Sequence, residues 1–238
     1  MYSYNSRIRY SELDENGQLK IEALLDYFQD CSTFHSEDIG LGVDYLKKQH
    51  MVWVMSSWQI VVERYPRLGE EVTVGTAPYE FKGFIGYRNF LMTDAKGKRL
   101  ACANTIWSLI DTETGRPVRA TEEMVRKYVL EPKLDMDYAP RRIQFPEEGK
   151  KGEPVQIRAH HLDTNHHVNN GQYVRIAIDS LLKECHIRQL RAEYKKQVYL
   201  NDVLIPYVSC TQEGKYIVVL KDQEENICCI VELQEERK

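Results

Sequence analysis

The tetrapeptide Leu13-Asp14-Glu15-Asn16 returns as Leu162-Asp163-Thr164-Asn165, 149 positions further on counted from Leu13 to Leu162. Each copy leads into a helical pattern and then into alternating, strand-like segments. After the first copy, Ile21, Leu24, Leu25, Phe28 and Cys31 recur at the spacing of one helix face. After the second, Tyr173, Ala177, Ser180 and Leu181 do the same. A repeat of helix followed by strands restricts the chain to one fold written twice.

In the first half, strands are expected at Met51 to Glu63, Glu71 to Ala77, Gly86 to Met92 and Leu100 to Leu109, with a turn at Asp94-Ala-Lys-Gly97 and a short helix from Thr121 to Tyr128. In the second half they are expected at Ile187 to Tyr199, Val203 to Cys210, Tyr216 to Lys221 and Ile227 to Leu233, with turns at Asn201-Asp202, Gln212-Glu-Gly214 and Asp222 to Asn226. Between the halves, Pro132, Pro140, Pro146, Pro154 and the charged stretch Glu147 to Glu153 break both periodicities. The expected division is therefore residues 1–130, a connection over 131–154, and residues 155–238. The class is α+β.

Composition removes several functions. A net charge of −4 argues against nucleic-acid binding, which needs a concentrated basic face. No segment reaches the roughly 20 apolar residues of a membrane span, and Met1 to Tyr10 alternates like a strand without the apolar stretch of a signal peptide. The six cysteines lack CxxC spacing, so reduced thiols and a cytoplasmic location are expected.

The two copies differ in chemistry. Asp163, Asn165 and His167 alternate through the second turn, supplying a carboxylate, an amide and an imidazole that exchanges protons near neutral pH. The first copy has Gln18 where the second has His167, so one active site is expected, in the second half. Asn169 or Asn170 is a reasonable helix cap, and the helix N-terminus offers N–H donors to a developing oxyanion. His160, His161 and His166 read as surface or packing residues, and a metal site finds no cysteine nearby in sequence. His35, His50 and His186 lie in no motif, and Cys185 reads as an ordinary thiol.

From Asp163 to Asn170 the chain carries Asp-x-Asn-x-His-Val-Asn-Asn before a helix, and in this it resembles the acyl-acyl carrier protein thioesterases of plants and bacteria. Arg64-Tyr-Pro-Arg-Leu-Gly-Glu-Glu-Val72, Trp107 with Asp111-Thr-Glu-Thr-Gly-Arg-Pro117, and Glu193-Tyr-Lys-Lys196 agree. The resemblance implies two tandem hotdog domains, each a long helix wrapped by an antiparallel sheet, paired as a pseudo-dimer. The first would bind the acyl chain and the second would carry the chemistry. The implied activity is hydrolysis of fatty acyl-carrier protein, terminating fatty acid synthesis in lipid metabolism without metal or other cofactor. The implied partner is acyl carrier protein bearing a phosphopantetheine-linked acyl chain, with no nucleic acid and no membrane; a homodimer stays open.

The family places a further carboxylate after Glu-Tyr-basic-basic, often followed by cysteine in plant members, whereas this chain has Gln197 and Val198. Gln197 can position water but not deprotonate it, and Val198 offers no thiol. Asp163 would act as base or nucleophile, with Asn165 and His167 orienting and polarising the reacting groups and Gln197 positioning water. An acyl-CoA thioesterase and a non-catalytic acyl-binding hotdog are the alternatives. Among Trp53, Met55, Trp58, Phe81, Phe84, Phe90 and Trp107, most are expected in the core and a subset along the acyl chain. Lys96 to Arg99, Arg116 with Arg119, Arg126-Lys127 and Arg141-Arg142 are the basic clusters that an acidic carrier would meet.

Overall fold

The computed structural model describes residues 1–146, 148–181, 185–212 and 214–235. Glu147 of the charged connection, Glu213 of the expected turn, and residues 182–184 and 236–238 of the expected second domain lie outside them. The chain divides into two compact units, Met1–Ser56 with Ile60–Tyr138, and Ser57–Gln59 with Ala139–Lys238.

The first unit comprises β1 (Tyr2–Arg7), α1 (Ile21–Asp38), α2 (Val43–Lys48), β2 (Met51–Val62), β3 (Glu71–Lys82), β4 (Ile85–Asp94), β5 (Arg99–Asp111) and α3 (Glu122–Tyr128). β1, β3, β4 and β5 pair antiparallel in that order, and β2 lies beyond β5. The β4–β5 turn is the one expected from its residues: Asp94 Oδ1 accepts the N–H groups of Lys96 and Lys98, both at 2.9 Å, and Gly97 takes φ +77°. α1 buries Ile21, Leu24, Leu25, Phe28 and Cys31 on one face, and the Phe28 ring meets Phe90 of β4 at 5.3 Å. Each such Leu or Phe removed from water contributes about 1.5–3 kcal/mol, which fixes the helix to the sheet.

A charged group is buried in this unit. Arg88 of β4 donates through Nη1 to Thr76 Oγ1 at 3.2 Å and meets His35 Nδ1 at 3.1 Å, with its guanidinium 5.3 Å from the Tyr128 ring centre. Arginine only donates, so Nδ1 of His35 accepts and the imidazole is held neutral. Burial first, and then the Arg88 charge, push His35 down to about 4. Among the described residues no carboxylate pairs with Arg88.

The second unit comprises β6 (Lys150–Lys151), β7 (Val155–Gln156), α4 (Asn170–Asp179), β8 (Ile187–Tyr194), β9 (Val203–Cys210), β10 (Lys215–Lys221) and β11 (Ile227–Glu235). Its strands run β8-β11-β10-β9-β6, antiparallel throughout, and β7 also pairs with β9. α4 lies on β10 and β11 and buries Gly171, Tyr173, Val174, Ile176 and Ala177. A helix laid on an antiparallel sheet in each unit is the hotdog arrangement. Buried Arg191 pairs with Glu232 at 3.1 Å and donates to the carbonyls of Pro140 and Arg142, while buried Glu193 accepts from Lys195 and from the Ile143 N–H at 3.2 Å. These bonds strap residues 140–143 onto the sheet and satisfy charges that would otherwise be costly to bury.

The strand expected to run to Tyr199 stops at Tyr194. The N–H groups of Lys195 and Lys196 both donate to the Cys228 carbonyl, at 2.8 and 3.2 Å, so two residues oppose one and the ladder ends in a bulge. Gln197 consequently lies beyond the end of the strand, and Glu193, within it, is committed to structure. The first unit ends β2 in the same way, with Glu63 and Arg64 both donating to the Leu100 carbonyl at 2.8 and 3.1 Å.

The turn ahead of α1 also has a defined build. After one 3-10 turn, Tyr10–Glu12, Asp14 Oδ1 accepts the N–H groups of Asn16 and Gln18, both at 2.9 Å. The Asp14 N–H donates to the Gln18 carbonyl at 2.8 Å, Gly17 takes φ +71°, and Leu13 bridges to Leu19. Only a residue tolerant of the left-handed region fits at Gly17.

Candidate active site

The second turn begins with a 3-10 segment, Ala159–His161, followed by a loop built around Asp163. Asp163 Oδ1 accepts the N–H of Asn165 at 2.8 Å and that of His167 at 3.4 Å. The Asp163 N–H donates to the His167 carbonyl at 2.8 Å, and Leu162 bridges to Val168. A short polar side chain that takes its own loop's N–H groups is what makes Asp suit such turns. The loop returns His167 to Asp163 and leaves Asn165 at its exposed tip.

Val168 anchors the loop from below, buried and donating its N–H to the Val198 carbonyl at 2.9 Å. Val198 is itself buried, so a thiol at this position would lie in the core, while Gln197 and Tyr199 on either side of it are exposed. The Tyr199 ring stands edge-on to the His167 ring, with centroids 5.4 Å apart at 72°. Its hydroxyl donates to Gln197 Oε1 at 3.0 Å. Asp163 and His167 are thereby joined through the loop backbone, and Tyr199 links the His167 ring to Gln197. In the sequence Tyr199 stands only as the end of an expected strand, with nothing to mark it as a neighbour of His167.

The helix that follows is capped by Asn169, whose Oδ1 accepts the Gly171 N–H at 2.7 Å, and α4 opens at Asn170. The Gln172 N–H donates to the Asn169 carbonyl at 2.9 Å. Asn169 thus takes two of the first-turn donors that an oxyanion was expected to use. Behind the loop, the Tyr194 hydroxyl donates to the Asn170 carbonyl at 3.0 Å and that of Tyr173 to the Lys196 carbonyl at 3.4 Å. Burial pushes both phenols up, so they act as neutral braces.

His50, His160 and His161 have contacts of their own. His161 Nδ1 accepts the Arg158 N–H at 2.9 Å and its ring lies 4.1 Å from that of His160; burial lowers its affinity for a proton. His50 pairs with Glu113 at 3.3 Å. Among the described residues no group of three or more His, Cys, Asp or Glu is placed to hold a metal ion, and none of the six cysteines is in a disulfide. Of the large apolar residues considered for the acyl chain, Met55, Trp58 and Phe90 are buried and Phe84 is exposed. Trp53 packs on Phe81 with its Nε1 buried and without a hydrogen-bond partner among the described residues. Arg99 is committed to Glu63 and the Asp135 carbonyl, whereas Lys96, Arg116, Arg119, Arg126, Arg141 and Arg142 are exposed.

Residues 1–128 match the family model for the acyl-ACP thioesterase N-terminal domain, and residues 146–236 match that for the C-terminal domain. The acyl-[acyl-carrier-protein] hydrolase FATB1 of Cuphea viscosissima, chloroplastic, is 26% identical, over 83% of this chain and 51% of its own length. The chain therefore spans about half the length of that curated relative. An acyl-ACP thioesterase structure from Bacteroides thetaiotaomicron superposes with a TM-score of 0.89 at 23% identity, covering 98% of this chain and 97% of that one. The 12:0-ACP thioesterase from Umbellularia californica does so with 0.83 at 20% identity, covering 100% and 98%. At such identities the superpositions speak for the fold.

Proposed function

This chain belongs to the acyl-ACP thioesterase family, and we propose that it hydrolyses the thioester between a fatty acyl chain and the phosphopantetheine of acyl carrier protein. The observation that supports the reading is the loop ahead of α4, where Asp163 takes the His167 N–H and Tyr199 links the His167 ring to Gln197. In the reaction, oxygen adds to the acyl carbonyl carbon, the carbon–sulfur bond breaks, and the sulfur takes a proton to leave as thiol. Asp163 serves as base toward water, or as the attacking carboxylate whose acyl anhydride water then hydrolyses to the free acid; His167 passes the proton to the leaving sulfur, and Asn165 and Gln197 orient the carbonyl. The first hotdog holds the acyl chain, and the exposed arginines meet the acidic carrier.

Gln197 in place of a carboxylate favours one second reading, a hotdog that binds acyl groups without cleaving them. Release of free fatty acid from a chain-length series of acyl-carrier proteins, run beside matching acyl-CoAs, separates the possibilities. Turnover favouring the carrier-bound series is expected and should be abolished by Asp163→Asn. Binding without release would establish the second reading, and preference for the CoA series would reassign the carrier.

A further inference from the structure

We propose that Tyr199 is a positioning residue for this reaction, acting through Gln197 and His167, an inference that rests on the hydrolase reading above. The Tyr199 hydroxyl donates to Gln197 Oε1 at 3.0 Å. An amide whose oxygen is so engaged is oriented, and it is left with two N–H donors to offer. Gln197 then works as a hydrogen-bond donor to the carbonyl oxygen as it gains charge, not as a substitute base. The Tyr199 ring, edge-on to His167 at 5.4 Å, also walls one side of the imidazole and limits its rotation.

A hydrogen bond between two exposed side chains positions little unless its members are held, and Tyr199 is held on both flanks. Before it, buried Val198 ties the segment to Val168 through a 2.9 Å bond. After it, the Tyr199 N–H donates to Asp202 Oδ2 at 2.8 Å and the Asp202 N–H returns to the Tyr199 carbonyl at 3.2 Å. Asn201 within this turn takes φ +71°. Ile157 pins the turn to the segment after β7, donating to the Asp202 carbonyl at 2.8 Å and accepting the Asn201 N–H at 3.1 Å. The phenol is therefore presented to Gln197 by a braced backbone, as a preorganised site requires.

The test compares the unmodified protein with Tyr199→Phe, Gln197→Ala and the double variant. Thioester release is measured with kcat and KM separated, and the side-chain amide resonances of Gln197 are followed by NMR. Tyr199→Phe keeps the ring and removes one hydrogen bond, so kcat should fall roughly three- to tenfold with KM little changed. The Gln197 amide resonances should shift, and in the Gln197→Ala background the same substitution should cost less than about twofold. A silent Tyr199→Phe, or an equal fall in both backgrounds, overturns the proposal. Unmoved amide resonances while the unmodified protein turns over overturn the pairing alone. No release by the unmodified protein overturns the hydrolase reading and the positioning role with it, and the resonances tell that outcome from a failed pairing.

Discussion

The turns that lead into α1 and α4 are the same structure carrying different side chains. Each follows a 3-10 segment, Tyr10–Glu12 or Ala159–His161, and each closes on an Asp whose Oδ1 takes two backbone N–H groups of its own loop. Each has a left-handed residue, Gly17 or His166, and a bridge between buried-side neighbours, Leu13 to Leu19 or Leu162 to Val168. Each is tied to a segment just past a bulge, through Leu19 to the Pro66 carbonyl or Val168 to the Val198 carbonyl, both at 2.9 Å. At the loop's working position the first has Gln18, bridged to Arg67, and the second has His167 beside Tyr199. The aspartate is thus part of the scaffold in both places. What sets the second apart is the imidazole and the segment packed against it.

That contrast can be broken in order of expected effect. Converting the second turn toward the first by His167→Gln should lower thioester release at least about a hundredfold while the melting temperature holds, because a proton-exchanging group is lost and the loop bonds remain. The converse Gln18→His should leave release unchanged; retained turnover in His167→Gln would place the chemistry elsewhere. Asp14→Ala and Asp163→Ala should each cost about 1 kcal/mol of unfolding free energy in denaturant titration, since each removes the acceptor of two turn N–H groups. Only the second should also lose release, and a large difference in stability cost would show that the two scaffolds are not equivalent. The smallest effect belongs to His166→Gly. His166 sits at φ +63°, and glycine there should raise stability by about 0.5 kcal/mol, the strain relieved slightly exceeding the entropy it adds to the unfolded chain. A lower melting temperature would mean that the His166 side chain makes a contact of its own.

How much of this was legible follows from the range of the interactions. The repeated Leu-Asp-x-Asn announces the two turns, because an Asp that bonds its own loop is a local device written in neighbouring residues. Ile21 to Cys31 announce α1 for the same reason, through a period that a single helix face imposes. The end of β8 was hidden, since Glu193, Lys195, Gln197 and Tyr199 continue to alternate while the bulge depends on the Cys228 carbonyl of a different strand. Lys150-Lys151 reads as a charged connection yet pairs with β9, as an edge strand can with its side chains in water. Tyr199 against His167 joins residues that only tertiary structure brings together, and no pattern in either segment carries it.

The buried Arg88–His35 contact gives the first unit a built-in sensitivity to acid. Folding holds His35 down to about 4 against an ordinary value of 6.5. Above pH 6.5 the imidazole is neutral whether the chain is folded or not, and the contact costs nothing in protons. As the pH falls from 6.5 toward 4 the unfolded chain takes up a proton that the folded one refuses, so stability drains over that window. Thermal melts across it should steepen in their decline relative to His35→Gln, which has no proton to take.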